Sequence, residues 1–129
     1  MIVMAEVIKI IGTEEVPTIL LDAEDGIFEI VGRSFPENVE RLYMPILEWL
    51  KEYITQPNPY TEFKFQLEYF NSSSARKIIE ILFLLEKLDG TENEVKVIWC
   101  YGKDDEMIMA KGKEFMNLVK IPFELRAVD

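Results

Sequence analysis

The chain has 129 residues, 49% hydrophobic and 29% charged, which suits one globular domain over 1–129 and not a disordered segment. Its 24 acidic residues outnumber 14 basic ones, for a formal net charge of −10. This charge argues against nucleic acid, an anionic membrane surface or an arginine-held cyclic dinucleotide as ligand, since each needs a basic footprint. Histidine is absent, which removes the commonest general base and transition-metal ligand and counts against an enzyme.

In chain order, residues 7–11 and 18–22 read as short strands around Gly12 and Pro17. Asp25-Gly26 is a hairpin turn signal, and 27–32 is the returning strand. Pro36 stands near a helix start, where its missing N–H does no harm. Val39, Leu42, Tyr43, Ile46, Leu50, Tyr53 and Ile54 then follow helical spacing. Pro45 lies inside this helix and is expected to kink it, because it frees the carbonyl of Arg41. Pro57 and Pro59 mark the next loop.

Residues 62–70 alternate. Phe63, Phe65, Leu67 and Tyr69 are expected on one face, and Glu62, Lys64, Gln66 and Glu68 on the other. Helical spacing returns over 72–88 through Ile78, Ile81, Leu82, Leu85 and Leu88, ending at Asp89-Gly90. Val95, Val97, Trp99 and Tyr101 alternate again. A third helix is expected from about 105 to 118, with Asp104 or Asp105 as its cap. Ile121, Phe123 and Leu125 form a last alternating strand. Strand–helix–strand crossovers make neighbouring strands parallel. Strands buried on both faces would be apolar throughout. Alternation therefore predicts an α/β fold whose mixed sheet carries its helices mainly on one face, leaving the other polar and open or used by a partner.

Cys100, in the apolar run 97–101, reads as a buried, inert thiol. A single cysteine excludes a disulfide within the chain and a structural zinc site of the usual kind. No apolar run approaches the roughly 18 residues of a membrane span. Residues 1–6 lack the basic region and cleavage site of a signal peptide, so a cytoplasmic location is expected.

The segment most able to carry chemistry is Asn71-Ser72-Ser73-Ser74, where a strand-like run meets a helix-like run. Asn and Ser are preferred caps. The unpaired N–H groups and dipole of a helix start also tolerate a phosphate. Capping and phosphoacceptor roles are compatible, because one residue can cap while its neighbour faces solvent. Arg76 and Lys77, one turn on, read either as a solvated helix face or as contacts for a phosphate or an acidic partner. Ser74-Ala75-Arg76-Lys77 matches the Ser-x-x-Lys nucleophile motif, but its companion motifs are missing and chance explains it. Asp104-Asp105-Glu106 suits a capped helix start better than a cation site. Gly26 and Gly32 read as turn glycines, and neither opens a phosphate-binding loop. Ile79, Phe83 and Leu84 lie off the main stripe of their helix, which is either deeply packed or a docking surface beside the serines.

The chain resembles the SiaC-type regulatory phosphoproteins of bacteria, which are similar in fold to the STAS domain of anti-anti-sigma factors. The resemblance rests on Gly12-Thr13 with Pro17, Gly32-Arg33-Ser34-Phe35-Pro36-Glu37-Asn38, Pro45-Ile46 with Trp49-Leu50, and Tyr69 through Ser74. Trp99 with Tyr101, Asp105-Glu106 and Pro122-Phe123 complete it, so it spans about 10–124. It implies that the hydroxyl residue directly after the junction asparagine is phosphorylated by a dedicated Ser/Thr kinase. A metal-dependent phosphatase reverses this, and the unphosphorylated form binds a diguanylate cyclase and promotes cyclic di-GMP synthesis. Carried over, the acceptor is Ser72, with Ser73 and Ser74 as alternates; the family typically has Thr where this chain has Ser72. The resemblance implies no catalytic residue, metal or cofactor. The competing readings are a constitutive adaptor that pairs through its open sheet face and a small hydrolase using the serine cluster.

Overall fold

Period-two alternation builds the sheet and 3.6-residue spacing builds the helices that cover it. The computed structural model describes residues 6–129; the reading of the chain start as lacking a signal peptide lies largely outside them. Among these residues the order is β1 (Ile8–Ile10), β2 (Thr18–Asp22), β3 (Ile27–Ser34), α1 (Val39–Tyr53), β4 (Tyr60–Phe70), α2 (Ser72–Glu86), β5 (Glu94–Gly102), α3 (Glu106–Met116) and β6 (Phe123–Val128). The strands lie in one sheet in sequence order. β1–β2 and β2–β3 pair antiparallel, and β3–β4, β4–β5 and β5–β6 pair parallel. This is the expected mixed α/β sheet.

Ile19, Ile30, Phe63, Phe65, Val97 and Trp99 from the strands share one buried cluster with Tyr43, Ile46, Leu50, Ile78, Ile81, Ile108 and Phe115 from all three helices. The helices thus cover one face. The opposite face carries ion pairs across neighbouring strands, Lys64 with Glu29 at 3.4 Å and Lys96 with Glu124 at 2.8 Å, and one within β6, Arg126 with Glu124 at 2.6 Å. Bonds to Arg126 and Lys96 hold the Glu124 carboxyl down at about 2. Ile98 and Cys100 lie buried on this second face. Burial pushes the Cys100 thiol up, which favours an unreactive, protonated sulfur.

Five expectations need correction. Gly32 is no turn glycine: it lies inside β3 at φ +119, beside a register shift between Gly32 and Arg33. Gly32 pairs with Leu67 but Arg33 pairs with Tyr69, so β4 carries Glu68 as an extra residue. A bulge of this kind reverses the alternation beyond it. Tyr69 therefore leaves the core face and is 47% exposed, while Phe70 turns inward against Trp99 and Phe115. The last strand, expected around 121–125, runs Phe123–Val128 instead; Ile121 is buried ahead of it. The second helix stops at Glu86, and its turn closes before Gly90 at φ +80. α1 continues unbroken through Pro45.

Candidate functional site

The parallel strands β3, β4 and β5 each deliver the chain to a helix at the same edge of the sheet. Each helix start is capped by a side chain: Asn38 accepts from Arg41 N–H, Asn71 from Ser74 N–H and Asp105 from Ile108 N–H. Asp105 is thus the helix cap, as its position suggested.

At the β4–α2 junction the chain is held from several sides. Phe70 packs edge-on against Trp99, with ring centroids 5.9 Å apart. The Asn71 N–H donates to the Ser34 carbonyl at 3.0 Å, tying the junction to the end of β3. The Asn71 side-chain oxygen accepts from Ser74 N–H at 2.9 Å. Helix geometry then turns the three serines in different directions. Ser72 is exposed, Ser73 is half-buried and Ser74 is fully buried.

Ser74 ends in a buried polar chain. Its hydroxyl lies 2.8 Å from that of Ser34, which lies 2.7 Å from the Tyr43 hydroxyl. Buried hydroxyls need partners, and these three supply one another. The chain joins β3, α1 and α2 directly beneath the junction. Burial holds the Tyr43 phenol above its usual range, against the pull of the bonds to Ser34 and Ser74. Ser74, carried as an alternate acceptor, therefore has its hydroxyl engaged inside the protein.

The two basic residues separate as well. Lys77 bonds to Glu40 on α1 at 2.6 Å and to Glu80 at 3.1 Å, and both raise its pKa. It is a clamp between α1 and α2. Arg76 is exposed and makes no ion pair among the described residues. Ser72 and Arg76 are four residues apart on the helix and share a face. Ser74 and Lys77 are engaged with different partners, so Ser-x-x-Lys forms no nucleophile pair. On α2, Leu84 is buried, Ile79 half-buried and Phe83 46% exposed. Phe83 lines a groove of about 210 Å³ with Leu47, Lys51, Glu80, Leu84 and Lys87.

Two features of the site were missed in the sequence. Ser34 has a signal: period two from Phe28 and Ile30 puts it on the core face, where a hydroxyl needs a partner. The same period puts Arg33 on the opposite face, but its aromatic seat has no signal, because the bulge at Glu68 is what turns Tyr69 toward it. Its guanidinium lies 5.3 Å from the Phe35 ring centroid and 5.6 Å from that of Tyr69.

The model of the SiaC family of regulatory phosphoproteins matches residues 10–128. The chain belongs to this family. An uncharacterised protein of Pseudomonas aeruginosa strain UCBPP-PA14 is 29% identical over 118 residues, covering 92% of this chain and 94% of that protein. The crystal structure of apo-SiaC from Pseudomonas aeruginosa superposes with a TM-score of 0.86 at 28% identity, covering 95% of this chain and 99% of the other. SiaC in the crystal structure of the diguanylate cyclase SiaD with its activator SiaC, from the same organism, gives 0.87 at 29% identity, covering 94% and 99%. The SiaC-family assignment agrees with the fold and with the motifs that carried the resemblance.

Proposed function

We propose that this SiaC-family protein is a cytoplasmic, non-enzymatic switch whose binding to a diguanylate cyclase is set by reversible phosphorylation of Ser72, in cyclic di-GMP signalling that governs biofilm formation or aggregation. A dedicated Ser/Thr kinase adds the phosphate and a metal-dependent phosphatase removes it. One observation carries the choice of residue: of three consecutive hydroxyls, Ser72 alone is exposed, while Ser74 is bonded in the core. The choice of partner is supported by the similarity to SiaC, which activates the cyclase SiaD in the complex of the two.

The chemistry follows from charge. Phosphate adds about −1.5 to −2 charges at neutral pH. The N–H groups at the start of α2 and the guanidinium of Arg76 stabilise that charge, so the fold persists. A partner docked over the junction meets a dianion in place of a hydroxyl. An unpaired charge in an interface costs about 3 kcal/mol, on the order of 10²-fold in affinity. Lys77 stays with Glu40 and Glu80 as the scaffold beneath the site.

The test is to incubate the protein with its kinase and ATP and map the modified residue by mass spectrometry. We expect phosphate on Ser72. A fully phosphorylated protein with Ser72 unmodified would refute the assignment.

A further inference from the structure

Among the described residues Arg33 is the one cation seated on aromatic rings; Arg41 and Arg76 likewise make no ion pair, but neither has such a seat. Lys64, Lys77, Lys96, Lys111 and Arg126 all pair with carboxylates. Arg33, in a chain with 24 acidic residues, makes no ion pair among the described residues and lies against two aromatic rings instead. Phe35 and Tyr69 meet edge-to-face at 5.5 Å and form the seat for the guanidinium. Arg33 is exposed, and so is Tyr69.

The seat adjoins the serine junction by construction. Arg33 pairs with Tyr69 and Ser34 with Phe70 in the β3–β4 ladder, and Asn71 N–H bonds to the Ser34 carbonyl. Ser72 follows at once. The end of β3 therefore runs beside the end of β4 at one strand spacing, about 4.8 Å, and the acceptor lies two residues past the last paired residue, Phe70. The bulge at Glu68 brings Tyr69 round to the side where Arg33 lies.

We propose that Arg33 is the internal ligand of the phosphate on Ser72, and that it leaves the Phe35–Tyr69 seat when the phosphate is added. The inference rests on Ser72 as the modified residue. An arginine over an exposed ring is weakly held. The same guanidinium on a phosphate makes two charge-assisted bonds in fixed geometry, which are among the strongest available to it. The exchange closes a loop from the end of β3 to the start of α2. It also uncovers Tyr69 at the surface that a partner would read. Phosphorylation then changes two features of that surface: a charge appears at Ser72, and a guanidinium withdraws from Tyr69.

The test installs phosphoserine at position 72 during protein synthesis, so it needs no kinase and is independent of which serine a kinase chooses. NMR follows the Tyr69 ring and the Arg33 side-chain N–H with and without the phosphate. We expect both to shift on phosphorylation, and the Tyr69 shift to vanish in Arg33→Gln. A non-specific phosphatase should release the phosphate several-fold faster from Arg33→Gln than from the unsubstituted protein, with Arg76→Gln measured alongside. Tyr69 and Arg33 signals indifferent to the phosphate would overturn the proposal. So would an Arg33→Gln protein that loses phosphate at the unsubstituted rate.

Discussion

At the scale of single residues, Asn71-Ser72-Ser73-Ser74 illustrates how a run of equivalent side chains becomes inequivalent on folding. Each serine is rotated about 100° from the last around the helix. That rotation puts the Ser74 hydroxyl into the core with Ser34 and Tyr43, and leaves Ser72 in solvent. The two positions should respond unequally to the same substitution. Ser74→Ala removes a partner from a buried chain and should cost about 1–2 kcal/mol, read by urea denaturation. Ser72→Ala touches no such bond and should change stability by less than about 0.5 kcal/mol. Equal losses from the two variants would mean that the buried chain contributes nothing to holding the junction.

At the scale of elements, the junction depends on how α3 and β5 sit behind it. Phe70, which precedes Asn71, rests against Trp99 and Phe115. The Trp99 indole N–H donates to the Ile108 carbonyl of α3 at 2.9 Å. Gly112 lets α3 approach this ring: a Cβ there would meet Trp99 Cδ1, lie 2.6 Å from Trp99 Nε1 and 2.8 Å from Leu125 Cδ2. Helix propensity alone would reward Gly112→Ala by about 1 kcal/mol. Overpacking against a buried indole works the other way, by about 1–3 kcal/mol. We predict that Gly112→Ala lowers the unfolding midpoint in denaturant. A raised midpoint would show that the ring has room to move and that α3 does not need the glycine.

At the scale of the whole molecule, element order along the chain and layer arrangement were legible because they follow from period. Alternation at 62–69 and 120–126, set against helical spacing at 39–54 and 78–88, already pointed to helices on one face of a mixed sheet, although the alternation fails at Tyr69. The ion pairs that line the other face suit water better than a dry interface between copies, which weakens the adaptor reading. What was illegible came from a single inserted residue. Glu68 breaks the period in β4, exposes Tyr69 and buries Phe70, and neither side chain differs in character from its neighbours in a way that signals the change. The candidate site was legible as a capped strand–helix boundary, since Asn and Ser are preferred caps. The division of labour among its serines was not, because it depends on Ser34 and Tyr43, which are 40 and 31 positions from Ser74 in the chain and come together only in the fold.

The central claim is that a phosphate on Ser72 decides whether the partner binds. The most direct measurement is the affinity of the diguanylate cyclase for this protein with serine and with phosphoserine at position 72, by calorimetry at one ionic strength. We predict binding by the unmodified protein and a loss on the order of 10²-fold for the phosphorylated one. Equal affinities for the two forms would contradict the claim.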